Sequence, residues 1–233
     1  MTIKRHDYPT RDALAEALAG GIAAVLAGGI ATQGSAVLAV SGGSTPKLLF
    51  RHLASTDIDW SRVTVVLVDE RWVPETSDRS NAALVRDNLL RDRASAAHLE
   101  PFYIEGLDAL EAVGELSQKF GAFQRPFDVV ILGMGTDGHT ASFFPGGNRL
   151  AAAIDPANPE AVIAIEAPGA GEPRITLTLS RLADARFLAL HIEGEEKQVV
   201  LERALEDGPV EDMPVRAMLR APRQEPIQVF WAP

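Results

Sequence analysis

The chain has 233 residues, of which 46% are hydrophobic and 23% are charged, as in an ordinary globular protein with a sizeable core. Its formal net charge of −10 would repel nucleic acid and anionic membranes, so we expect neither as a partner. The absence of cysteine excludes disulfides, thiolate nucleophiles and zinc–thiolate sites. Because such a chain also repels phosphorylated ligands, any phosphate site must concentrate its own positive charge.

The amino terminus carries no recognisable targeting signal. Residues 1–7 lack the apolar segment of a secretory signal peptide, and we expect no apolar run long enough to span a bilayer. The sequence therefore predicts a cytoplasmic protein. We expect it to be a monomer or a small homo-oligomer.

Apolar runs and helical patterns alternate along the chain. A first helix that includes Leu14 is predicted to end near Gly28 and Gly29. Strands are predicted over residues 36–40, 63–68, 127–132, 187–192 and 227–230, and helices over residues 46–53, 81–90, 107–123 and 195–205. This order predicts a single α/β domain, residues 1–233, with a parallel sheet covered by helices on both faces. Residues 148–171, rich in Pro, Ala and Gly, are predicted to form a long surface connection, with a small excursion or a domain boundary as the alternative.

Three polar motifs follow predicted strands, where ligands bind in open parallel sheets. The first motif, residues 41–47, contains Gly42 and Gly43, which let a ligand approach the backbone, and the hydroxyls of Ser44 and Thr45. Thr45 is a good N-cap and Pro46 a good first helical residue, so free N–H groups at this helix start favour an anion. The motif predicts a phosphate cradle; a capped helix start with a flexible turn is the alternative.

The second motif, residues 68–74, places three charges at the end of a buried strand. We expect Asp69 to contact the ligand and Arg71 to clamp a phosphate, because a guanidinium binds oxyanions through two parallel hydrogen bonds. Ser80 and Asn81 are expected to cap the following helix. A solvated strand end is the alternative.

The third motif, residues 133–146, is rich in glycine and contains Asp137 and His139. Its G-x-G-x-x-G spacing resembles a dinucleotide fingerprint, but Pro145 would interrupt the helix that this fingerprint requires. A loop that presents one histidine and one aspartate instead predicts a general base, His139, oriented by Asp137 or with Asp137 contacting the ligand. Two residues are a weak metal signal, so we expect no metal. The four remaining histidines are expected to have no catalytic role: His6, His52, His98 and His191.

Together the three motifs, in this order, resemble those of the 6-phosphogluconolactonases. The resemblance extends to residues 174–178 and 194–197, and it departs at Phe143, where that family has leucine. It implies a Rossmann-like fold shared with glucosamine-6-phosphate deaminase and a hydrolase that needs no cofactor and acts on a sugar-phosphate lactone. Arg174 and Lys197 are then candidates for further cations at the phosphate, and water activated by His139 would attack the lactone carbonyl.

Two alternatives remain open at this point. The deaminases have a similar third motif but carry a glutamate where this chain has Phe144, and usually a tyrosine where it has Arg71, so fewer acid–base groups are available here. A non-catalytic sugar-phosphate sensor would retain the first two motifs but would leave Asp137 and His139 without a purpose.

Overall fold

The computed structural model describes residues 3–123 and 126–233; residues 1 and 2 of the amino-terminal stretch considered above lie outside the described residues. Its strands, in chain order, are β1 Ile3–Asp7, β2 Ala36–Val40, β3 Val63–Leu67, β4 Asp69–Arg71, β5 His98–Glu100, β6 Val129–Leu132, β7 Val162–Ile165, β8 Arg174–Leu177, β9 Phe187–Glu193 and β10 Ile227–Ala232. Within the described ranges, seven strands form one sheet in the order β1-β10-β9-β6-β2-β3-β5, and each neighbouring pair is parallel. The predicted α/β class is confirmed.

Helices surround this sheet. They are α1 Arg11–Gln33, α2 Pro46–Ala54, α3 Asn81–Asn88, α4 Val113–Gly121, α5 Leu150–Ala153, α6 Leu179–Leu182, α7 Glu195–Leu205 and α8 Val215–Arg220. The helix predicted over residues 107–123 is shorter than expected. The carboxylate of Asp108 accepts a hydrogen bond from the backbone N–H of Glu111, and the carboxylate of Glu111 accepts one from the backbone N–H of Asp108, so these residues form a turn of their own before α4 begins.

A second, smaller sheet corrects the prediction for residues 148–171. Strands β4, β8 and β7 pair in antiparallel fashion, and β7 lies inside the segment predicted to be a surface connection. All four residues of β7 are buried, and Val162, Ile163 and Ile165 belong to the same hydrophobic core as the large sheet. The small residues around this short apolar run concealed it from the sequence analysis.

Helix α1 also continues beyond its predicted end. It passes Gly28 and Gly29 and ends at Gln33, where Gly34 adopts the left-handed conformation (φ 84°) that terminates a helix. Gly29 is buried, and a Cβ atom there would lie 2.6 Å from Oδ1 of Asp128 and 3.3 Å from Cβ of Ala36. The glycine therefore serves the packing of α1 on the sheet rather than the end of the helix.

This arrangement predicts opposite effects for two neighbouring substitutions. Gly29→Ala should lower the free energy of unfolding by about 1 to 3 kcal/mol, because Asp128 is held in place by a hydrogen bond from the backbone N–H of Val37. Gly28→Ala places its Cβ in open space and should raise the free energy of unfolding by about 0.4 to 1 kcal/mol. Urea denaturation of both variants measures this difference, and equal effects would contradict the packing role of Gly29.

By length and apolar composition α1 is long enough to cross a membrane, contrary to the expectation from sequence. In the fold, however, one face of α1 is buried against the large sheet and carries Leu14, Leu18, Ile22 and Leu26. A helix that packs in a protein core can have the same length and apolar composition as a membrane-spanning helix. The absence of a membrane partner stays a prediction.

The topology places the three motifs together. Strands β2, β6 and β9 are neighbours in the sheet, and the chain leaves β2 towards β3 on one side while β6 lies on the other. Such a reversal of strand order opens a crevice at the carboxyl ends of the strands. The first motif follows β2, the third motif follows β6, and the second motif enters the small sheet directly after β3.

Candidate active site

A cavity of about 380 Å³ lies at this edge of the sheet. Every predicted site residue except Asp137 lines it, and Asp137 contacts the lining residue His139. The residues that the sequence analysis proposed are therefore brought together: Gly42, Gly43, Ser44, Thr45, Asp69, Arg71, His139, Arg174 and Lys197. Their individual roles in binding and catalysis stay predictions.

The first motif supplies unpaired backbone donors at the start of α2. Pro46 is the first helical residue, as predicted. Thr45 occupies the N-cap position, but its side chain makes no capping hydrogen bond, and its backbone is already helical (φ −56°, ψ −48°). Within residues 3–123 and 126–233, the N–H groups of Gly42, Gly43 and Ser44 donate to no acceptor. They are available to an anion, and the predicted N-cap position of Thr45 is confirmed.

A buried carboxylate organises the second motif. Glu70 accepts hydrogen bonds from the backbone N–H groups of Arg71, Asn81 and Ala82 and from the hydroxyl of Ser80. Burial raises the pKa of Glu70 above its ordinary value, although these four hydrogen bonds act in the opposite direction. The carboxylate thus ties the start of α3 to β4, so Asp69 and Glu70 do not form the solvated strand end considered as the alternative.

Ser80 caps α3, as predicted, by accepting a hydrogen bond from the N–H of Ala83 at 3.2 Å. The next residue, Asn81, is buried and lines the cavity. Its Nδ2 donates to the backbone carbonyl of Asp69 at 2.9 Å, so its Oδ1 faces the other way, towards Gly42. A Cβ atom at Gly42 would lie 1.8 Å from this oxygen, which explains why the position holds glycine.

The third motif holds an imidazole against a carboxylate. Nδ1 of His139 lies 2.5 Å from Oδ1 of Asp137, which also accepts the backbone N–H of His139 at 3.1 Å. Burial raises the pKa of Asp137, but the hydrogen bonds and the charge of His139 lower it by more. The pKa of Asp137 therefore lies below its ordinary value. An ionised carboxylate only accepts hydrogen bonds, so Nδ1 carries a proton, and in the neutral form of the ring Nε2 has a lone pair that can accept one.

Glycine and phenylalanine fix the position of this pair. A Cβ atom at Gly135 would lie 2.1 Å from Nδ1 of His139, so the loop closes around the imidazole only with glycine there. The ring of Phe144 packs against the imidazole with centroids 4.3 Å apart, and the guanidinium of Arg174 lies over the same phenyl ring at 5.4 Å. Phe144 therefore packs against both the imidazole of His139 and the guanidinium of Arg174. No helix lies between the end of β6 and Leu150, where all residues are described, and this agrees with the rejection of a dinucleotide fingerprint.

Three glycine N–H groups of the third motif are already paired. Gly133 donates to the hydroxyl of Ser41, Gly135 to the carbonyl of His139, and Gly138 to the carbonyl of Gly135. These three glycines therefore hold the loop's shape and offer no free donor to a ligand. In the first motif, by contrast, the N–H groups of Gly42 and Gly43 have no acceptor among the described residues.

Three cationic side chains face the cavity from different elements. Arg71 and Arg174 are partners across β4 and β8, and Lys197 lies in the first turn of α7. Burial lowers the pKa of Arg174, whereas the neighbouring charge of Asp69, 3.9 Å away, raises it. A guanidinium remains charged at neutral pH despite such a shift. Burial likewise lowers the pKa of Lys197.

Asp69 does not face the cavity as an isolated charge. Its Oδ2 accepts the hydroxyl hydrogen of Ser142 at 2.6 Å and also lies next to Arg174. The guanidinium of Arg174 is further held by the backbone carbonyl of Ala170, to which its Nε and Nη2 donate. Asp69 is thus placed to support Arg174, and contact between Asp69 and a ligand stays a prediction.

Of the four histidines that are expected to have no catalytic role, one lies at the cavity, and the expectation itself stays a prediction. His6, His52 and His98 lie outside the cavity and pair with Gln228, Asp12 and Glu100 respectively. His191, however, lines the cavity and is only 2% exposed, with Nε2 3.2 Å from Oε1 of Glu193. Sequence reasoning did not place either residue at the site, although His191 lies in the predicted strand 187–192 and Glu193 follows it directly. Among the described residues, no group of three or more His, Asp or Glu side chains could hold a metal ion.

One cavity at the edge of the parallel sheet contains positively charged side chains, free backbone N–H groups and an imidazole held by a carboxylate. This combination is typical of an α/β enzyme that acts on a small anionic substrate. The profile of one family, glucosamine-6-phosphate isomerases/6-phosphogluconolactonase, matches residues 9–231. The chain belongs to this family, and the resemblance inferred from its motifs is confirmed.

Individual relatives agree with this assignment. The chain is 54% identical over 233 residues to a 6-phosphogluconolactonase of Rhizobium meliloti, with full coverage of both chains. It is 50% identical over 227 residues to a 6-phosphogluconolactonase of Mesorhizobium japonicum, covering 97% of this chain and 94% of that one. The crystal structure of a 6-phosphogluconolactonase from Shewanella baltica superposes with a TM-score of 0.95 at 41% identity, covering 100% and 98% of the two chains.

Proposed function

We propose that this chain hydrolyses 6-phosphoglucono-1,5-lactone to 6-phosphogluconate, the lactonase step of the pentose phosphate pathway, with His139 as the general base. The observation that carries the proposal is that one cavity contains both the carboxylate-held imidazole and the anion site formed by Arg71 and the free N–H groups of the first motif. A phosphate held at one end would fix the lactone carbonyl relative to the base at the other.

The mechanism needs no covalent intermediate. Nε2 of neutral His139 takes a proton from water while the water oxygen forms a bond to C1, and the carbonyl electrons move to the oxygen as an oxyanion. When the oxyanion collapses, the bond between C1 and the ring oxygen breaks, and the imidazolium returns its proton to that oxygen. The new carboxylic acid then ionises and releases one proton per turnover. Asp137 holds the ring orientation and stabilises the imidazolium during the reaction.

Deamination of glucosamine 6-phosphate is less well supported by this cavity. The position of the deaminase glutamate is occupied by Phe144, which cannot transfer a proton and which packs against His139. The proposal is tested with freshly prepared 6-phosphogluconolactone, by following acid release against the spontaneous rate. Glucosamine 6-phosphate is supplied in parallel with ammonia as the readout. Acid release without ammonia supports the proposal, and ammonia without accelerated acid release would contradict it.

The lowered pKa of Lys197 predicts a pH dependence of ligand binding. We expect the Kd of 6-phosphogluconate to rise as pH increases through the alkaline range, starting below about pH 10, where an ordinary lysine would lose its charge. The sign follows because only the protonated amine attracts phosphate. In Lys197→Arg this rise should be absent over the same range, since a guanidinium keeps its charge.

Calorimetric titrations at a series of pH values measure this effect. Lys119→Arg is the matched control, because Lys119 lies on α4, pairs with Glu100 and is remote from the cavity. It should keep the wild-type profile. An unchanged profile in Lys197→Arg would show that Lys197 does not contact the ligand.

A further inference from the structure

His191 occupies a place that the proposed mechanism does not use. It lies near the carboxyl end of β9, lines the cavity and is 98% buried, since only 2% of its surface is exposed. Its Nε2 contacts Glu193, whereas its Nδ1 has no hydrogen-bond partner in the part of the chain that the structure describes. A buried polar atom without a partner is unfavourable, so its retention beside a cavity points to a bound ligand.

The neighbouring charges determine which nitrogen carries the proton. The carboxylate of Glu193 lies between His191 and Arg11, with Oε1 3.2 Å from Nε2 and Oε2 3.4 Å from Nη1 of Arg11. An ionised carboxylate only accepts, so the ring proton belongs on Nε2. In the neutral ring, Nδ1 then presents a lone pair and requires a donor.

A second acceptor of the same kind lies on the opposite side of the first motif. Oδ1 of Asn81 is buried and has no partner among the described residues, and its orientation is fixed by the bond from Nδ2 to the carbonyl of Asp69. The cations and free N–H groups of the cavity are donors, which match the oxygen atoms of a phosphate. Phosphate dianions carry no hydrogen to donate, so they cannot satisfy Nδ1 of His191 or Oδ1 of Asn81. Hydroxyl groups can satisfy both acceptors, because each hydroxyl group has an O–H to donate.

We propose that Nδ1 of His191 accepts a hydrogen bond from a sugar hydroxyl group of the ligand, which makes His191 a specificity-determining residue. Glu193 acts through His191 as a positioning residue by keeping the proton on Nε2. This inference rests on the proposed function, in that the ligand is a phosphorylated polyol held in the same cavity.

The test compares two ligands that differ only in their hydroxyl groups. One is 6-phosphogluconate, and the other is 6-phosphohexanoate, which has the same chain length, phosphate and carboxylate but no hydroxyl groups. His191→Gln keeps an amide near the position of Nε2, where it can donate to Glu193, but removes the acceptor at Nδ1. Its matched control, His191→Asn, keeps an amide oxygen near the position of Nδ1 and loses the contact with Glu193.

We expect His191→Gln to weaken binding of 6-phosphogluconate about tenfold by calorimetry and to leave the Kd of 6-phosphohexanoate unchanged. His191→Asn should retain most of the preference for 6-phosphogluconate. Glu193→Gln leaves the imidazole in place but can donate to Nε2 and thereby move the proton to Nδ1. The preference for 6-phosphogluconate over 6-phosphohexanoate should therefore also fall in Glu193→Gln. This variant keeps the proposal testable if His191→Gln does not fold.

Two outcomes would overturn the inference. Equal weakening of both ligands in the His191→Gln and Glu193→Gln variants would show a merely structural role, and unchanged binding of both would show that no contact exists. Failure of either ligand to bind the wild type would instead count against the proposed phosphate site. The Arg71→Ala variant tests that site independently of His191, because it should bind 6-phosphohexanoate more weakly than the wild type does.

Discussion

Replacement of His139 by asparagine is expected to lower kcat by about 10² to 10⁴, the usual contribution of a positioned general base. The side chain of asparagine can still accept or donate a hydrogen bond near Asp137 but cannot take a proton from water. Because the phosphate site is separate from the imidazole, the Kd of 6-phosphogluconate should change little. Initial rates of acid release, corrected for spontaneous hydrolysis, and calorimetric binding measure the two quantities.

His98→Asn is a suitable control for this substitution. His98 also pairs with a carboxylate, Glu100, but lies on β5 outside the cavity, so its replacement should leave kcat unchanged. A wild-type kcat in His139→Asn would show that His139 is not the general base. A similar loss in both variants would indicate a general effect on the fold.

The second large effect is expected for Arg71→Ala, which should raise KM for 6-phosphogluconolactone on the order of 10- to 100-fold with a smaller change in kcat. This is the range for losing charge-assisted hydrogen bonds to a phosphate. Nη1 of Arg71 donates to the carbonyl of Arg79 at 2.5 Å, which holds the guanidinium at the cavity. Its Nε is buried and has no partner within residues 3–123 and 126–233, so a ligand oxygen can accept from it.

Arg86→Ala is the matched control for Arg71→Ala. Arg86 lies on the neighbouring helix α3 and pairs with Glu75, away from the cavity lining. Steady-state kinetics should show an unchanged KM for this variant. If wild-type protein hydrolysed unphosphorylated gluconolactone as well as the phosphorylated substrate, the phosphate clamp would be wrong.

Much of the fold could be predicted because its central strands are short, continuous apolar runs. Residues 36–40 and 63–67 are buried on both faces of a parallel sheet, so their sequences show the pattern directly. The three motifs could be predicted for a related reason. Each follows such a strand, and the carboxyl ends of parallel strands meet at one edge of the sheet.

The remaining features depend on contacts between distant parts of the chain. Gly29 resembles a helix end in sequence, but it lies within α1, and the space for its side chain is filled by Asp128, 99 residues away along the chain. His191 and Glu193 carry no local signal beyond their place at the end of β9, and only the position of β9 beside β6 brings them to the cavity. Pairing of β7 with β8 likewise arises from packing rather than from a local preference.

The central claim is that one cavity holds a phosphate at Arg71 and the first motif while His139 faces the carbon that becomes the carboxylate. A crystal structure of the protein with 6-phosphogluconate tests this claim most directly. We expect the phosphate to lie against the N–H groups of Gly42 to Ser44 and the guanidinium of Arg71, with the C1 carboxylate about 3 Å from Nε2 of His139. A product bound in the reverse direction, with its phosphate beside His139, would contradict the account.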